Sequence, residues 1–188
     1  AMAQADYPSK PLKLVAPYAP GGSADMLART LATYLGAEIK QPVVVENKPG
    51  ANTMIAATAV SRSPADGYTL LLASNASMVL NPLLYKKLSY DPAKDLKLTN
   101  ILAEAPLVLV TNSQTGIKSV SDLKTYAQAH PGRLNYSSIG LGNPLQLTTE
   151  LIKSRLNVEA THIPFNGSAP ALTALMSNDT QLMVDVVG

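Results

Sequence analysis

The sequence predicts an α/β protein built on parallel sheets. Two observations support this prediction. Short apolar runs typical of strands alternate with longer stretches whose apolar residues recur at helical spacing. The alternation occurs in the first half of the chain and again in the second half. Because strand–helix–strand connections place successive strands parallel, each half is expected to form a sheet covered by helices.

In the first half the predicted order is strand, helix, strand, helix, strand. The strands are residues 12–17, 43–45 and 68–73, and the helices are residues 24–39 and 53–61. The run of three valines at 43–45 is typical of a buried strand. Gly36 is expected to end the regular part of the first helix. A short helix over residues 77–84 and a surface connection over residues 85–98 follow.

In the second half, strands are predicted at residues 101–103, 107–110, 134–138, 160–164 and 181–187. Three helices lie between these strands. Ser119 with Asp122 forms a capping box for the first, Asn143 caps the second before Pro144, and Ser168 caps the third. The predicted apolar face of the second helix is Leu147, Leu151, Ile152 and Leu156.

The predicted domains are residues 7–103 and residues 104–188, with a crossing between two lobes near residues 104–106. The last predicted strand reaches the end of the sequence without partners of its own. We therefore expect the second lobe to be truncated.

The composition excludes several classes of protein. Hydrophobic residues make up 46% of the 188 residues and charged residues 15%, which is an ordinary globular balance rather than that of a disordered chain. The net charge is only +2, and there is one Phe and no Trp, so nucleic acid is not expected as a partner. With no Cys there is no disulfide framework. Small residues at 1–5 match a secretory cleavage site, although an expression scar has the same pattern.

Two glycine-bearing turns are the main candidate site. The first glycine turn, residues 18–25, contains Gly21 and Gly22 and joins a predicted strand to a predicted helix. The second glycine turn, residues 138–143, contains Gly140 and Gly142 in the same context. Glycine permits positive φ, so backbone N–H groups can converge beside the positive end of a helix and bind an anion. The alternative is an ordinary turn in which Ser23 caps the helix.

Four other polar residues are candidates for the site: two follow a predicted strand, and two have carboxylates that would repel an anion. Asn75 and Ser77 follow the third strand at the edge that carries the first glycine turn, where open α/β sheets collect ligands. They face the site or cap a short helix, and the sequence does not separate these readings. Asp25 and Asp185 would repel an anion, so they cap backbone N–H groups or bind a donor on the ligand.

No catalytic or metal-binding pattern is complete. Around Ser138 the nucleophile-elbow pattern lacks the glycine two residues before the serine. His162 is interpreted as a structural imidazole, and it has no second His or Cys nearby to hold a metal. There is no glycine-rich phosphate loop with a following Lys. A hydrolase of small esters using Ser138 remains the alternative function.

Several ordered blocks resemble the Bug/TctC family. They are residues 7–11, 19–25, 43–51, 65–71 and 167–172, and the likeness extends from Tyr7 to the last residue. The family consists of periplasmic receptors of tripartite tricarboxylate transporters. The resemblance therefore implies a two-lobed periplasmic-binding-protein-like fold that closes on a small organic carboxylate.

The same resemblance implies a receptor that is not an enzyme and needs no cofactor or metal. Its partners are the carboxylate and the membrane subunits of the transporter, and it reaches the periplasm through a cleaved signal peptide. In this family pattern the two glycine turns hold the ligand carboxylate, and four further residues lie near its variable end. The implied ligand-binding residues are Tyr18, Ala19, Gly22, Ser23, Asp25, Asn75, Ser77, Ser138, Gly140, Gly142, Asn143, Asn166 and Asp185.

The chain departs from the family pattern in three places. Ser23 stands where Gly or Thr is frequent, and Asn143 where Thr or Ser is usual. Residues 52–54 replace a glycine-rich continuation after Gly50, so the shape of that loop is open.

Overall fold

The computed structural model describes residues 7–187, so the N-terminal cleavage pattern lies outside the described residues. The chain forms two compact units, one extending to Lys97 and one beginning at Leu98. That residues 7–103 and residues 104–188 form separate domains stays a prediction. Within the described range no helix combines the length and apolar character needed to cross a membrane.

The first unit contains a three-stranded parallel sheet in the order β2-β1-β3. Its strands are β1 (Leu12–Ala16), β2 (Val43–Asn47) and β3 (Thr69–Leu71). Leu14 at the centre pairs with a residue of each neighbouring strand. The two connections contain α1 (Ser23–Ile39) and α2 (Met54–Ser61). The predicted β-α-β-α-β order and parallel pairing are confirmed.

Two expectations for the first unit are wrong. The valine strand is not buried: Val44 is 56% exposed, because β2 is at the edge of the described sheet while β1 is in the middle. The predicted range of the first helix, residues 24–39, is confirmed, but its regular part does not end at Gly36: it continues to Ile39, and the C-cap Lys40 adopts a left-handed φ of 54°. Gly36 has a packing role instead, since a Cβ there would lie 3.1 Å from the carbonyl oxygen of Gln41.

A buried amide pair fixes the loop after Gly50. A 3₁₀ turn (Ala51–Thr53) precedes α2, and all three of its residues have positive φ. The Asn52 side-chain amide donates to Asn81 Oδ1 at 2.8 Å, and the Asn81 amide donates back to the Asn52 carbonyl at 2.8 Å. Asn81 begins α3 (Asn81–Leu84), which continues a single π-type turn (Ala76–Leu80). The loop therefore keeps a left-handed shape without the extra glycines.

The second unit contains a four-stranded sheet in the order β4-β7-β5-β6. The strands are β4 (Leu107–Thr111), β5 (Asn135–Ser138), β6 (Thr161–Pro164) and β7 (Leu182–Val186). Among the described strands of this sheet, β4 and β7 pair antiparallel and the other pairings are parallel. Residues 101–103 are exposed and form no strand. The expectation that the last strand lacks partners is wrong, because β7 pairs on both sides.

The helices of the second unit are α4 (Val120–Ala129), α5 (Pro144–Leu156) and α6 (Ser168–Met176), and a short 3₁₀ turn (Ser113–Thr115) follows β4. The caps predicted at Ser119 and Asn143 are confirmed, since each side chain accepts a backbone N–H of its helix. The cap predicted at Ser168 is wrong: Gly167 is the N-cap, and the Ser168 hydroxyl instead donates to Asp185 Oδ1.

The predicted apolar face of α5 is only partly correct: Ile152 and Leu156 pack against the core as expected. Leu151 is 56% exposed, whereas Leu145, Gln146 and Thr149 are buried. Polar side chains face inward because they have partners there, as described below for Gln146. Leu145 packs in the core, and the Thr149 hydroxyl donates to its carbonyl one turn earlier.

Both units repeat one arrangement of parallel strands. In the first unit β1 lies between β2 and β3, and in the second β5 lies between β6 and β7. The chain leaves each central strand toward one side and later crosses to the other. In open α/β sheets, ligands bind at the carboxyl ends of strands where the connections change side in this way. The two glycine turns follow β1 and β5, so each turn lies at that position in its own unit.

Candidate functional site

The first glycine turn leaves the N-terminus of α1 without a side-chain cap. Gly21 has a φ of 84°, and Gly22 is the extended N-cap residue. Ser23 is therefore not the cap but the first helical residue, and its hydroxyl forms no hydrogen bond within the described chain. The first N–H groups of a helix have no partner inside the helix. This turn therefore offers backbone donors and one hydroxyl at the positive end of a 17-residue helix.

Asp25 holds the shape of the first glycine turn. Its carboxylate is 4% exposed and accepts hydrogen bonds from the Gly21 N–H (3.0 Å), Arg29 Nε (2.9 Å) and Asn47 Nδ2 (2.9 Å). The hydrogen bond from Arg29 is the main reason that the pKa of Asp25 is lowered to about 2. Asn47 also donates to the carbonyl of Tyr18. Of the two roles expected for Asp25, the structure shows the binding of a backbone N–H.

The residues after β3 meet the first glycine turn. The Tyr18 hydroxyl lies 3.3 Å from Ser74 Oγ. Ser77 is buried, and its hydroxyl donates to the Ser74 carbonyl and accepts the Ser74 N–H, so its side chain closes that turn. Asn75 is exposed. The structure therefore brings Ser77 and Asn75 to the predicted sheet edge but engages the Ser77 hydroxyl internally.

In the second glycine turn, Gly140 and Gly142 have φ values of 140° and 75°. Asn143 is buried and its Oδ1 accepts the Leu145 N–H at 3.0 Å, which caps α5. The Gly142 N–H donates to Gln146 Oε1 at 3.1 Å. This glycine N–H is therefore engaged inside the turn, by a residue that the sequence analysis did not single out.

Ser138 is fully buried and has an imidazole partner. Its Oγ lies 2.6 Å from His162 Nε2, and it is 3.3 Å from both the nitrogen and the carbonyl oxygen of Gly140. His162 stacks on Tyr136, with ring centroids 4.8 Å apart and planes 18° from parallel. Burial lowers the pKa of His162, while the nearby Glu150 carboxylate opposes that shift. The imidazole is therefore neutral near pH 7.

Tyr136 connects these contacts to α5. Its hydroxyl donates to the Glu150 carboxylate and accepts a hydrogen bond from Gln146 Nε2 at 3.3 Å. Lys153 Nζ lies 3.0 Å from both carboxylate oxygens of Glu150. Burial and the Glu150 carboxylate both raise the pKa of Tyr136, which stays protonated. We call Tyr136, Gln146, Glu150 and Lys153 the polar support of the second glycine turn.

The sequence contains a signal for the polar support. Gln146, Glu150 and Lys153 recur at spacings of four and three along α5, so they share one helix face. Tyr136, Ser138 and His162 share one face of the sheet, since Tyr136 is paired with His162 in register. A polar helix face next to a strand that ends in a predicted turn indicates a buried hydrogen-bond network.

Asn166 and Asp185 lie at the ends of the flanking strands. Asn166 is exposed in the turn after β6 and forms no hydrogen bond within residues 7–187. Asp185 is buried on β7, where it accepts from Ser168 Oγ at 3.0 Å. Burial raises the pKa of Asp185, and the Val186 N–H and the Ser168 hydroxyl partly offset that effect. No hydrogen bond among the described residues joins Asn166 to Asp185.

Outside the glycine turns, the described residues form an apolar groove but no metal site. Across residues 7–187, no three His, Cys, Asp or Glu side chains group together as a metal site would need. An open groove of about 600 Å³ in the second unit is bordered by α4, α5 and β4. Arg155 is its one charged lining residue; the others are aliphatic, so the groove does not suit a carboxylate.

Comparison with known proteins identifies relatives across nearly the whole chain. The model of the tripartite tricarboxylate transporter family receptor matches residues 27–187. Protein BugT of Bordetella pertussis is 38% identical over 171 residues, which cover 90% of this chain and 52% of that protein. A UPF0065 protein of Cupriavidus necator is 37% identical over 98% of this chain and 56% of its own length. The chain thus spans about half the length of these curated relatives.

Solved structures share the fold. An R. palustris protein solved with adipate superposes with a TM-score of 0.92 at 37% identity, over 96% of this chain and 60% of that one. MatC from Rhodopseudomonas palustris with bound malate gives a TM-score of 0.88 at 32% identity, over 96% and 61%. The periplasmic binding protein BugD gives 0.90 at 30%, over 96% and 60%. The α/β, periplasmic-binding-protein-like fold is confirmed, and the chain belongs to the tripartite tricarboxylate transporter receptor family.

Proposed function

We propose that this chain captures a small organic carboxylate in a periplasmic receptor, which delivers it to the membrane subunits of a tripartite tricarboxylate transporter. Membership of a family of receptors supports this proposal. Two structural relatives are named with bound adipate and malate, which are both dicarboxylates. In this proposal the ligand site is built from the residues named from the sequence, among which the buried Ser138, with its hydroxyl bonded to Gly140 and His162, shapes its turn rather than contacting the ligand. The receptor reaches the periplasm through a cleaved signal peptide. It needs no cofactor.

The main support for the proposal is the first glycine turn, where the N-terminus of α1 has no side-chain cap and the Ser23 hydroxyl has no partner among the described residues. In the second turn the Gly140 and Gly142 N–H groups have internal partners, so that turn contributes its shape and the positive end of α5. Each glycine turn precedes the N-terminus of a helix of 13 or 17 residues, where the helix dipole favours negative charge. Neither turn contains Lys or Arg. A carboxylate can be bound by N–H and O–H donors alone, and charge-assisted hydrogen bonds are the strong ones.

The hydrolase alternative has weaker support. Its nucleophile would be Ser138, which lies 2.6 Å from His162 Nε2 as a serine–histidine pair requires. Ser138 is 0% exposed, however, and a nucleophile must reach the carbonyl carbon of its substrate. The residues around Ser138 also lack the first glycine of the nucleophile elbow. The family relationship and the burial of Ser138 both favour the receptor.

Ser23→Ala tests the proposal with little effect on folding. The Ser23 hydroxyl has no internal partner in the described chain, so its loss is expected to change stability by less than about 0.5 kcal/mol. If it donates to a ligand carboxylate, its loss weakens binding roughly ten- to a hundredfold. Ser121→Ala is the matched control, because Ser121 is an exposed helical serine in the second unit.

The measurement is calorimetric titration of the three proteins with adipate, malate and adipamide, the uncharged analogue of adipate. We expect at least one dicarboxylate to bind the wild type and the Ser121→Ala control with equal affinity, and adipamide to bind neither. Equal binding of adipamide and adipate would refute recognition of an anion. Turnover of small esters that is lost in Ser138→Ala would establish the hydrolase instead.

A further inference from the structure

We infer that His162 is a positioning residue of the second glycine turn: its Nε2–H donates to Ser138, which in turn fixes both backbone groups of Gly140. The inference rests on the proposed function, because it assigns His162 a role in shaping a ligand-binding turn. His162 lies outside the sequence blocks that resemble the family, and it is not among the residues named as binding the carboxylate.

Three hydrogen-bond partners meet at one atom, Ser138 Oγ. They are the Gly140 nitrogen, the Gly140 carbonyl oxygen and His162 Nε2. The Gly140 N–H can only donate, and its carbonyl can only accept. The single Ser138 proton must therefore serve the carbonyl if all three contacts are hydrogen bonds. His162 Nε2 must then carry a proton and donate it to Ser138.

The imidazole of His162 is firmly held. It stacks on the buried ring of Tyr136 at 4.8 Å, and the Tyr136 hydroxyl is bonded to Glu150 and Gln146 on α5. The ring therefore has a fixed plane and a fixed direction for Nε2. At 2.6 Å, its contact with Ser138 is the shortest of the three at Oγ. The rigid partner of the serine is thus the imidazole, and the turn is arranged around it.

The charged groups near the ring agree with a neutral, positioning imidazole. The facing groups are Glu150 and Lys153 on α5 and the protonated Tyr136 on β5. Burial lowers the pKa of His162, Lys153 adds to this effect, and Glu150 opposes it. A neutral ring with its proton on Nε2 cannot accept the Ser138 proton. This arrangement is the reverse of the one that a serine nucleophile requires.

The first test uses the ligand-free protein. Long-range ¹H–¹⁵N NMR spectra of the histidine rings at pH 7.5 separate the two neutral tautomers, and His130→Gln assigns the signals because the chain has only two histidines. We expect His162 to show the Nε2–H tautomer in the wild type and a mixture of tautomers in Ser138→Ala. A wild-type spectrum of the Nδ1–H tautomer, with Nε2 unprotonated, would overturn the inference.

Variants of His162 then test the positioning role. Glutamine places an amide N–H close to the position of Nε2, whereas leucine offers no donor. We expect His162→Leu to shift the Gly140 amide resonance and to speed its hydrogen exchange about tenfold, and His162→Gln to restore both. His130→Leu controls for the loss of an imidazole elsewhere. Equal behaviour of the glutamine and leucine variants would mean that Nε2–H does not hold the turn.

Adipate titrations separate this inference from the proposed function. We expect His162→Leu to weaken adipate binding about three- to tenfold, and His162→Gln to stay within about twofold of the wild type. In a Ser138→Ala background the leucine substitution is expected to have no further effect, because the two residues act in series. If no dicarboxylate binds the wild type, the proposed function fails while the tautomer and exchange measurements still decide the inference.

Discussion

Tyr136→Phe tests whether the polar support stabilises the second unit. The substitution keeps the buried ring and its stacking on His162 but removes the hydroxyl that donates to Glu150 and accepts from Gln146. A hydrogen bond to a charged group contributes about 1.5–3 kcal/mol and a neutral one about 0.5–1.5 kcal/mol. The Glu150 side chain is 41% exposed, so water and Lys153 partly replace the lost donor. We therefore expect a loss of about 2 kcal/mol in the free energy of unfolding.

The assay is urea unfolding followed by the amide resonances of β5 and α5, because two compact units can unfold separately. Tyr126→Phe is the matched control: Tyr126 is a half-buried tyrosine of the same unit whose hydroxyl forms no hydrogen bond within residues 7–187. It is expected to change stability by less than about 0.5 kcal/mol. If the two variants are destabilised equally, the hydrogen bonds of Tyr136 do not support the turn.

Two further predictions concern the first unit. The pKa of Asp25 is about 2 in the folded chain and near 3.8 ordinarily, so its interactions stabilise the unit by about 2 kcal/mol at neutral pH. This stability is present above pH 4 and is lost as the pH falls toward 2; Asp25→Asn should flatten that part of the profile measured by thermal unfolding, and an unchanged profile would contradict the assignment. Gly67→Ala should destabilise by about 1–2 kcal/mol, since φ is 83° and the new Cβ would lie 2.8 Å from the hydroxyl of the exposed Tyr7, which must move and lose its hydrogen bond to the Gly67 carbonyl. Gly116→Ala has a φ of 71° and an open site, so it isolates the backbone cost of about 1 kcal/mol; equal losses in chemical denaturation would exclude the clash.

Local pattern predicted the parallel sheet of the first unit and the parallel pairings of the second, because β-α-β connections permit few topologies; it did not predict the antiparallel pairing of β4 with β7. The positions of most helices and strands, and the caps at Ser119 and Asn143, followed from spacing alone. Burial was predicted less well. Whether Val44 is buried depends on which strand is central, and the sequence does not give the strand order. The position of β7 was predicted correctly, but its pairing was not, since its antiparallel neighbour lies far away in the sequence.

For the candidate site, the sequence predicted both glycine turns but not the buried side chains that hydrogen-bond to them. Ser168 was expected to cap a helix, but a buried carboxylate at Asp185 attracts its hydroxyl. The α5 face was assigned by hydrophobicity, so Gln146 was overlooked although it bonds Gly142 and Tyr136. These partners come from different elements, and their meeting depends on tertiary packing that a local pattern does not contain. That the named residues bind a carboxylate stays a prediction.

The central position of β7 has a consequence for the order of folding. The three described strands of the first unit lie within residues 12–71, so they can pair while much of the chain is still being synthesised. In the second sheet Leu107 pairs with Val186, and β7 is the partner of β4 among the described strands, so this pairing waits until β7 emerges from the ribosome. Pairings of high contact order form slowly, and unpaired strand edges are sites of intermolecular association. Nascent chains are therefore most exposed to aggregation after β4 and β5 are made and before β7 joins them.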